Sequence, residues 1–137
     1  MPCGCGAFFY LTFIVKLANM NITFFEVENW EKDYLEKNLQ GFELSFFPEK
    51  LSLENVEKAK DADIISLFTD SSIDDQIFSQ LPKLKMIATR STGFDHIDLK
   101  FAKEHNIIVC NVPTYGENTV AEHTFGLILN LSRQIYK

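Results

Sequence analysis

Between Asn21 and Cys110, five short apolar runs rich in β-branched and aromatic residues alternate with polar stretches that carry helix start and stop signals. The runs predict strands at 22–27, 42–47, 63–68, 84–88 and 107–110. Between them, Asn29 reads as the N-cap of a helix reaching about Asn38, with Glu31 and Asp33 favouring the helix dipole, and Gly41 ends it. Pro48 closes the second strand, and Ser52 reads as the cap of a helix through about Lys60. Ser72 with Asp75 three residues on has capping-box spacing and opens a helix to about Leu81, where Pro82 intervenes. Asp98 caps a helix through His105.

Strands that alternate with helices call for right-handed crossovers and a parallel sheet covered on both faces. The expected fold is α/β, a flavodoxin-like, doubly wound, parallel five-stranded sheet. A long helical pattern then begins at Thr119. Its apolar positions, among them Val120, Phe125, Leu127, Ile128 and Leu131, spread around more than one face and so expect burial on several sides. The pattern reaches Lys137 without a Gly or Pro stop, so the sequence is expected to halt inside a helix, as a truncated chain would.

Two loops stand out because they follow strands. Residues 89–95 form a turn containing Gly93, where the missing Cβ lets backbone N–H groups approach a ligand. Residues 111–118 carry Pro113, Tyr115 and Gly116. Loops at the carboxyl ends of parallel strands make a crevice, which is where open α/β sheets bind ligands.

Composition narrows the function classes. The 137 residues are 46% hydrophobic and 23% charged, an ordinary globular balance for one domain. The net charge of −6 leaves no basic stripe for nucleic acid. Cys3, Cys5 and Cys110 make no disulfide framework, and Cys110, in an apolar strand, is expected to be a buried, reduced thiol in a cytoplasmic protein. Residues 1–19 differ from the rest: 7–15 is apolar but too short to span a bilayer, so no membrane segment is expected. Three readings stand side by side there: a mis-start upstream of Met20, a degenerate signal or anchor, and an extra strand.

The remaining chemistry-bearing residues read as structural. Arg90 lies near Asp95 and Asp98, so a local ion pair that positions the loop is expected. His96 and His123 adjoin acids and read as hydrogen-bonded groups, and His105 suits the end of a helix. No metal site is expected, because no histidines share ligand spacing on a helix face.

The segments TRSTGFDHIDL and NVPTYGENTVAEHT, with their mutual spacing and the opening FFEVENWEK, resemble the N-terminal half of D-isomer-specific 2-hydroxyacid dehydrogenases, close to the D-lactate dehydrogenase branch. The resemblance covers residues 20–137. It implies that 20–118 is the first segment of a discontinuous substrate (catalytic) domain and that 119–137 is the start of a connecting helix towards an NAD-binding domain. It implies a small 2-keto or 2-hydroxy acid as substrate, NAD as cofactor and a homodimer. Thr92 and Gly93 match the loop whose amides receive the substrate carboxylate, and Tyr115 matches the aromatic residue lining the substrate side of the cleft. The family's catalytic Arg, Glu and His are expected in segments C-terminal to Lys137, so no catalytic residue is assigned and the chain is expected to be inactive alone.

A non-enzymatic alternative is a stand-alone flavodoxin-like binding or regulatory domain. A phosphorylatable receiver would use acids such as Glu26, Glu28 and Asp70, but it also needs a lysine after the fifth strand, where this chain has Cys110 and Asn111.

Overall fold

The computed structural model describes residues 20–135, the side chain of Glu117 excepted. The three readings of 1–19 therefore lie outside the described residues. Five strands, β1 (Asn21–Phe25), β2 (Glu43–Phe47), β3 (Ile64–Leu67), β4 (Met86–Thr89) and β5 (Ile108–Cys110), form one parallel sheet in the order β2-β1-β3-β4-β5. The chain leaves β1 for one edge and returns past it to β3, so the winding reverses between β1 and β3. This is the doubly wound layout expected from the alternating pattern.

Side-chain alternation divides the core. On one face Phe25, Ile65, Leu67 and Ile87 are wholly buried beneath Val56, Ala59, Ile77, Phe78 and Ala102. Burying one such side chain contributes roughly 1.5–3 kcal/mol, which makes this cluster the main source of stability. On the other face Ile22, Phe24 and Val27 lie beneath Leu35 and Leu39, from helix α1 (Asn29–Asn38) and its C-cap. Phe24 stacks on Phe46 with ring centroids 5.1 Å apart. This second layer stops at β3. Met86 and Ala88 are half-buried, Ile108 is 61% exposed, and Cys110 is an exposed free thiol. Register explains it, because Ala88 pairs with Cys110 and Met86 with Ile108 on that bare side. The expectation of a buried Cys110 is thus corrected, and among the described residues the cover of the second face reaches β1, β2 and β3 but not β4 and β5.

The helix ends show which polar side chain won each local competition. Asp98 caps α3 (Leu99–Glu104) as expected, accepting from the Phe101 N–H at 3.0 Å. The cap of α1 is Glu28 rather than Asn29, and the Glu31 carboxylate reaches back to the Glu28 N–H at 2.9 Å. The cap of α2 (Asp75–Phe78) is Asp74, accepting from the Ile77 N–H at 3.0 Å, while Ser72 lies before it in the extended stretch that carries the Ile73–Ile97 bridge. The helix expected from Ser52 shrinks to a 3₁₀ turn, Val56–Ala59, because the Asn55 side chain accepts from the Ser52 N–H at 2.8 Å and diverts the backbone. Helix α4 (Glu117–Arg133) starts two residues before Thr119. Its apolar residues, such as Phe125 and Leu131, are exposed among the described residues.

Candidate functional site

β4 ends by running straight into the first loop. The Arg90 N–H donates to the Leu67 carbonyl at 2.8 Å, which extends the β3–β4 ladder by one residue. The Arg90 side chain then crosses the end of β3. One terminal nitrogen donates to Ser66 Oγ at 3.2 Å, and the other donates to the carbonyls of Phe25 at 3.0 Å and Glu26 at 2.6 Å. Its Nε faces Glu31 Oε1 at 3.5 Å. Burial pulls the guanidinium pKa below its ordinary value, and the charges of Glu31 and Glu26 oppose that pull. An ion pair was expected here with Asp95 or Asp98. The structure instead pairs it with Glu31 on α1 and gives it the carbonyls of Phe25 and Glu26 at the end of β1.

Beyond Arg90 the loop is fixed from underneath. Ser91 is buried, its hydroxyl donates to the Gly93 carbonyl at 2.7 Å, and it lies 2.6 Å from Thr89 Oγ1. Thr89 Oγ1 is also 3.3 Å from His96 Nε2, so His96 is a hydrogen-bonded structural group whose partner is a hydroxyl rather than Asp95. From the side, Asn111 Nδ2 donates to the Thr92 carbonyl at 2.8 Å and the Val112 N–H donates to the Ser91 carbonyl at 3.0 Å. Both carbonyls of the Thr92–Gly93 pair are therefore engaged. Their N–H groups have no acceptor among the described residues, and both residues are exposed. A Cβ added at Gly93 would come no closer than 3.9 Å to another side chain, Asp95.

Of the three expected site residues, Thr92 and Gly93 share this loop. Tyr115 lies on the adjacent loop, which Asn111 and Val112 fasten to the first; it is 69% exposed and lines a shallow hollow of about 320 Å³ with Thr114, Gly116 and Thr119. Ser91 and Asn111 escaped sequence reasoning. A small polar residue before the glycine and an amide at the strand end were the signals available.

The larger crevice, about 780 Å³, opens at the β1–β3 reversal, between Trp30, Lys50, Phe68, Asp70 and Glu28. At its floor Glu26 takes a left-handed conformation, φ 56°, that turns its carboxylate towards the end of β3. There it accepts from the backbone N–H groups of Phe68 (3.2 Å), Asp70 (2.9 Å) and Ser71 (3.0 Å) and from the Ser71 hydroxyl. The amides that could receive an anion are thus already filled, and the walls carry two further carboxylates. The Thr92 and Gly93 N–H groups, by contrast, have no acceptor among the described residues. Glu26, spent in this way, also cannot serve the receiver chemistry considered above, and no metal-binding cluster of His, Cys, Asp or Glu forms among the described residues.

Residues 22–131 match the family model described as D-isomer specific 2-hydroxyacid dehydrogenase, catalytic domain. This chain belongs to that family. A 2-hydroxyacid dehydrogenase homolog from Zymomonas mobilis is 36% identical over 120 residues, covering 85% of this chain and 36% of that protein. A D-lactate dehydrogenase from Escherichia coli is 31% identical over 122 residues, covering 86% of this chain and 37% of that protein. The solved structure of D-lactate dehydrogenase from Aquifex aeolicus, complexed with NAD and lactic acid, aligns with a TM-score of 0.76 at 36% identity, over 81% of this chain and 33% of that one. The chain thus spans little more than a third of the length of the curated relatives it matches. Both candidate loops lie inside the stretch that carries the match to 2-hydroxyacid dehydrogenases.

The nicotinamide cofactor of such dehydrogenases calls for a glycine-rich turn between a strand and a helix N-terminus. From Met20 onward the glycines are Gly41, Gly93, Gly116 and Gly126, and no two have that spacing. No described residue is therefore assigned to the cofactor. Among the described residues no helix is long and apolar enough to cross a membrane.

Proposed function

We propose that this chain supplies the substrate-carboxylate side of an NAD-dependent D-2-hydroxyacid dehydrogenase of the D-lactate type, which interconverts a small 2-keto acid and its D-2-hydroxy acid. The observation that carries this is the Thr92–Gly93 pair, whose carbonyls are held by Ser91 and Asn111 while its two N–H groups, on exposed residues, have no acceptor among the described residues. A carboxylate is the ligand such donors suit, because charge-assisted bonds to fixed amides need no reorganisation when it arrives. Tyr115, on the adjacent loop that Asn111 and Val112 fasten to this one, is read from the family resemblance as lining the substrate side of the cleft. Hydride transfer is assigned to no residue of 1–137, and NAD enters as the cofactor of the family. A cytoplasmic homodimer is the setting this reading implies.

The test is a titration of the isotopically labelled chain with pyruvate and with oxamate, its unreactive analogue, followed by amide resonances. Saturable shifts centred on Thr92 and Gly93, with affinity in about the millimolar range, are expected. Gly93→Ala should leave stability within about 0.5 kcal/mol, since its Cβ has room, yet weaken binding several-fold by crowding the carboxylate. Saturable binding elsewhere, or none, would overturn the assignment. Added NADH should give no turnover of pyruvate; turnover at the rate of an intact dehydrogenase would show that residues 1–137 hold the hydride chemistry after all.

A further inference from the structure

The Thr92–Gly93 loop is only as well placed as the residue that roots it. Four groups from three separate elements converge on the Arg90 guanidinium: Ser66 Oγ on β3, the carbonyls of Phe25 and Glu26 at the end of β1, and Glu31 on the first turn of α1. The two β1 carbonyls lie where the ladder to β3 has run out, since the pairing of β1 with β3 ends at Phe24–Ser66. Arg90 gives them the donors that a neighbouring strand no longer supplies. Glu31 is shared, because its other oxygen holds the Glu28 N–H at the start of α1. A planar fork with five N–H groups can satisfy partners in several directions at once, which an ammonium on a flexible stem cannot.

We propose that Arg90 is a positioning residue for the carboxylate-receiving loop: by bridging the carboxyl end of β1 and the start of α1 to the end of β4, it sets the direction in which the Thr92 and Gly93 N–H groups point. The proposal concerns the loop assigned above to the substrate carboxylate and in its ligand arm rests on that reading. The two acceptor-free N–H groups follow Arg90 by two and three residues, with buried Ser91 between, so a shift of the Arg90 backbone passes to them through a short, hydrogen-bonded segment. The bridge also joins the start of α1 to the end of β4, so movement at α1 reaches the loop through Arg90.

The experiment uses the full 137-residue chain with Arg90→Ala, Arg90→Lys and Ser66→Ala, the last being a mild change that removes a single acceptor. Amide exchange is read at Val112 and Ile97, whose N–H groups close onto Ser91 and Phe94, and at Ser45 and Phe46 in the distant strand β2 as an internal control. The expected result is exchange at least tenfold faster at Val112 and Ile97 in Arg90→Ala, several-fold faster in Ser66→Ala, and unchanged in β2. Arg90→Lys should behave like Arg90→Ala, and millimolar methylguanidinium should restore protection to Arg90→Ala alone. Pyruvate and oxamate affinity should fall and recover in parallel.

Unchanged exchange at Val112 and Ile97 in both Arg90→Ala and Ser66→Ala would overturn the proposal. So would equal acceleration in β2, which would mark a general loss of stability, or full protection in Arg90→Lys. If Arg90→Ala does not fold, Ser66→Ala and Arg90→Lys decide the matter by the same rates. A parent chain that binds neither acid while the variants show the expected exchange would defeat the reading of the site and leave the positioning role of Arg90 standing.

Discussion

The two ends of the sheet are fastened by opposite means. At the amino ends of β3 and β4, Asp61 pairs with Lys83 and Asp63 with Lys85, each at 2.6 Å, and the lysines stand in water. At the carboxyl ends, Glu26 and Arg90 turn inward and are satisfied chiefly by backbone groups. A pair in water is screened and gives each ion an alternative partner, so it fixes little geometry. A charge drawn partly out of water must have its hydrogen bonds supplied by the protein, and the groups that supply them are held in place. The end that presents the candidate site is therefore the end with the more demanding geometry.

The sharpest way to break this comparison is Glu26→Ala. It leaves three backbone N–H groups and a hydroxyl without their acceptor, and a loss of about 2–3 kcal/mol is expected in urea unfolding, with an unchanged slope. A loss below about 1 kcal/mol would mean that water replaces the carboxylate, and the contrast between the ends would fail.

Asp63 gives the next effect, because it is the least exposed acid of the lower end. Burial pushes its carboxyl up, but the Lys85 hydrogen bond, the Asn21 N–H at 3.1 Å and the Lys85 and Lys83 charges together hold it below the usual range. A depressed folded pKa contributes stability above the unfolded value of about 3.9 and loses it as pH falls through the folded one. Asp63→Asn should thus cost about 1 kcal/mol at neutral pH and show a shallower acid limb, the two proteins converging in strong acid. An unaltered acid limb would remove Asp63 from the account. The smallest effect is at the surface. Lys83→Ala should leave the unfolding midpoint where it was at physiological ionic strength, and a clear drop would show that the lower end is an ordered network after all.

How far the fold and the site could be read in advance follows from the distance over which each feature is decided. Strand positions came out within a residue or two because a buried parallel strand must be a short apolar run with turn residues at its ends. Asp98 was legible as a cap because its competition is purely local, whereas Asn29, Ser52 and Ser72 each had a neighbour, Glu28, Asn55 or Asp74, equally able to hold an N–H. The Thr92–Gly93 loop and Tyr115 were singled out as candidates through motif and spacing. Their support was not, since nothing near Arg90 in sequence names Phe25 and Glu26 as its acceptors, 65 and 64 residues away.

By itself, then, the sequence determined the order of strands and helices, the doubly wound parallel class and the two loops that bear the candidate chemistry, because periodicity and turn residues act over a few positions. Only the tertiary structure decided that Cys110 faces outward, that Glu26 fills the amides at the end of β3, and that Arg90 roots the loop on β1. Those depend on which strands become neighbours and on which face each residue falls, and the switch in winding direction between β1 and β3 brings their partners together from opposite parts of the chain.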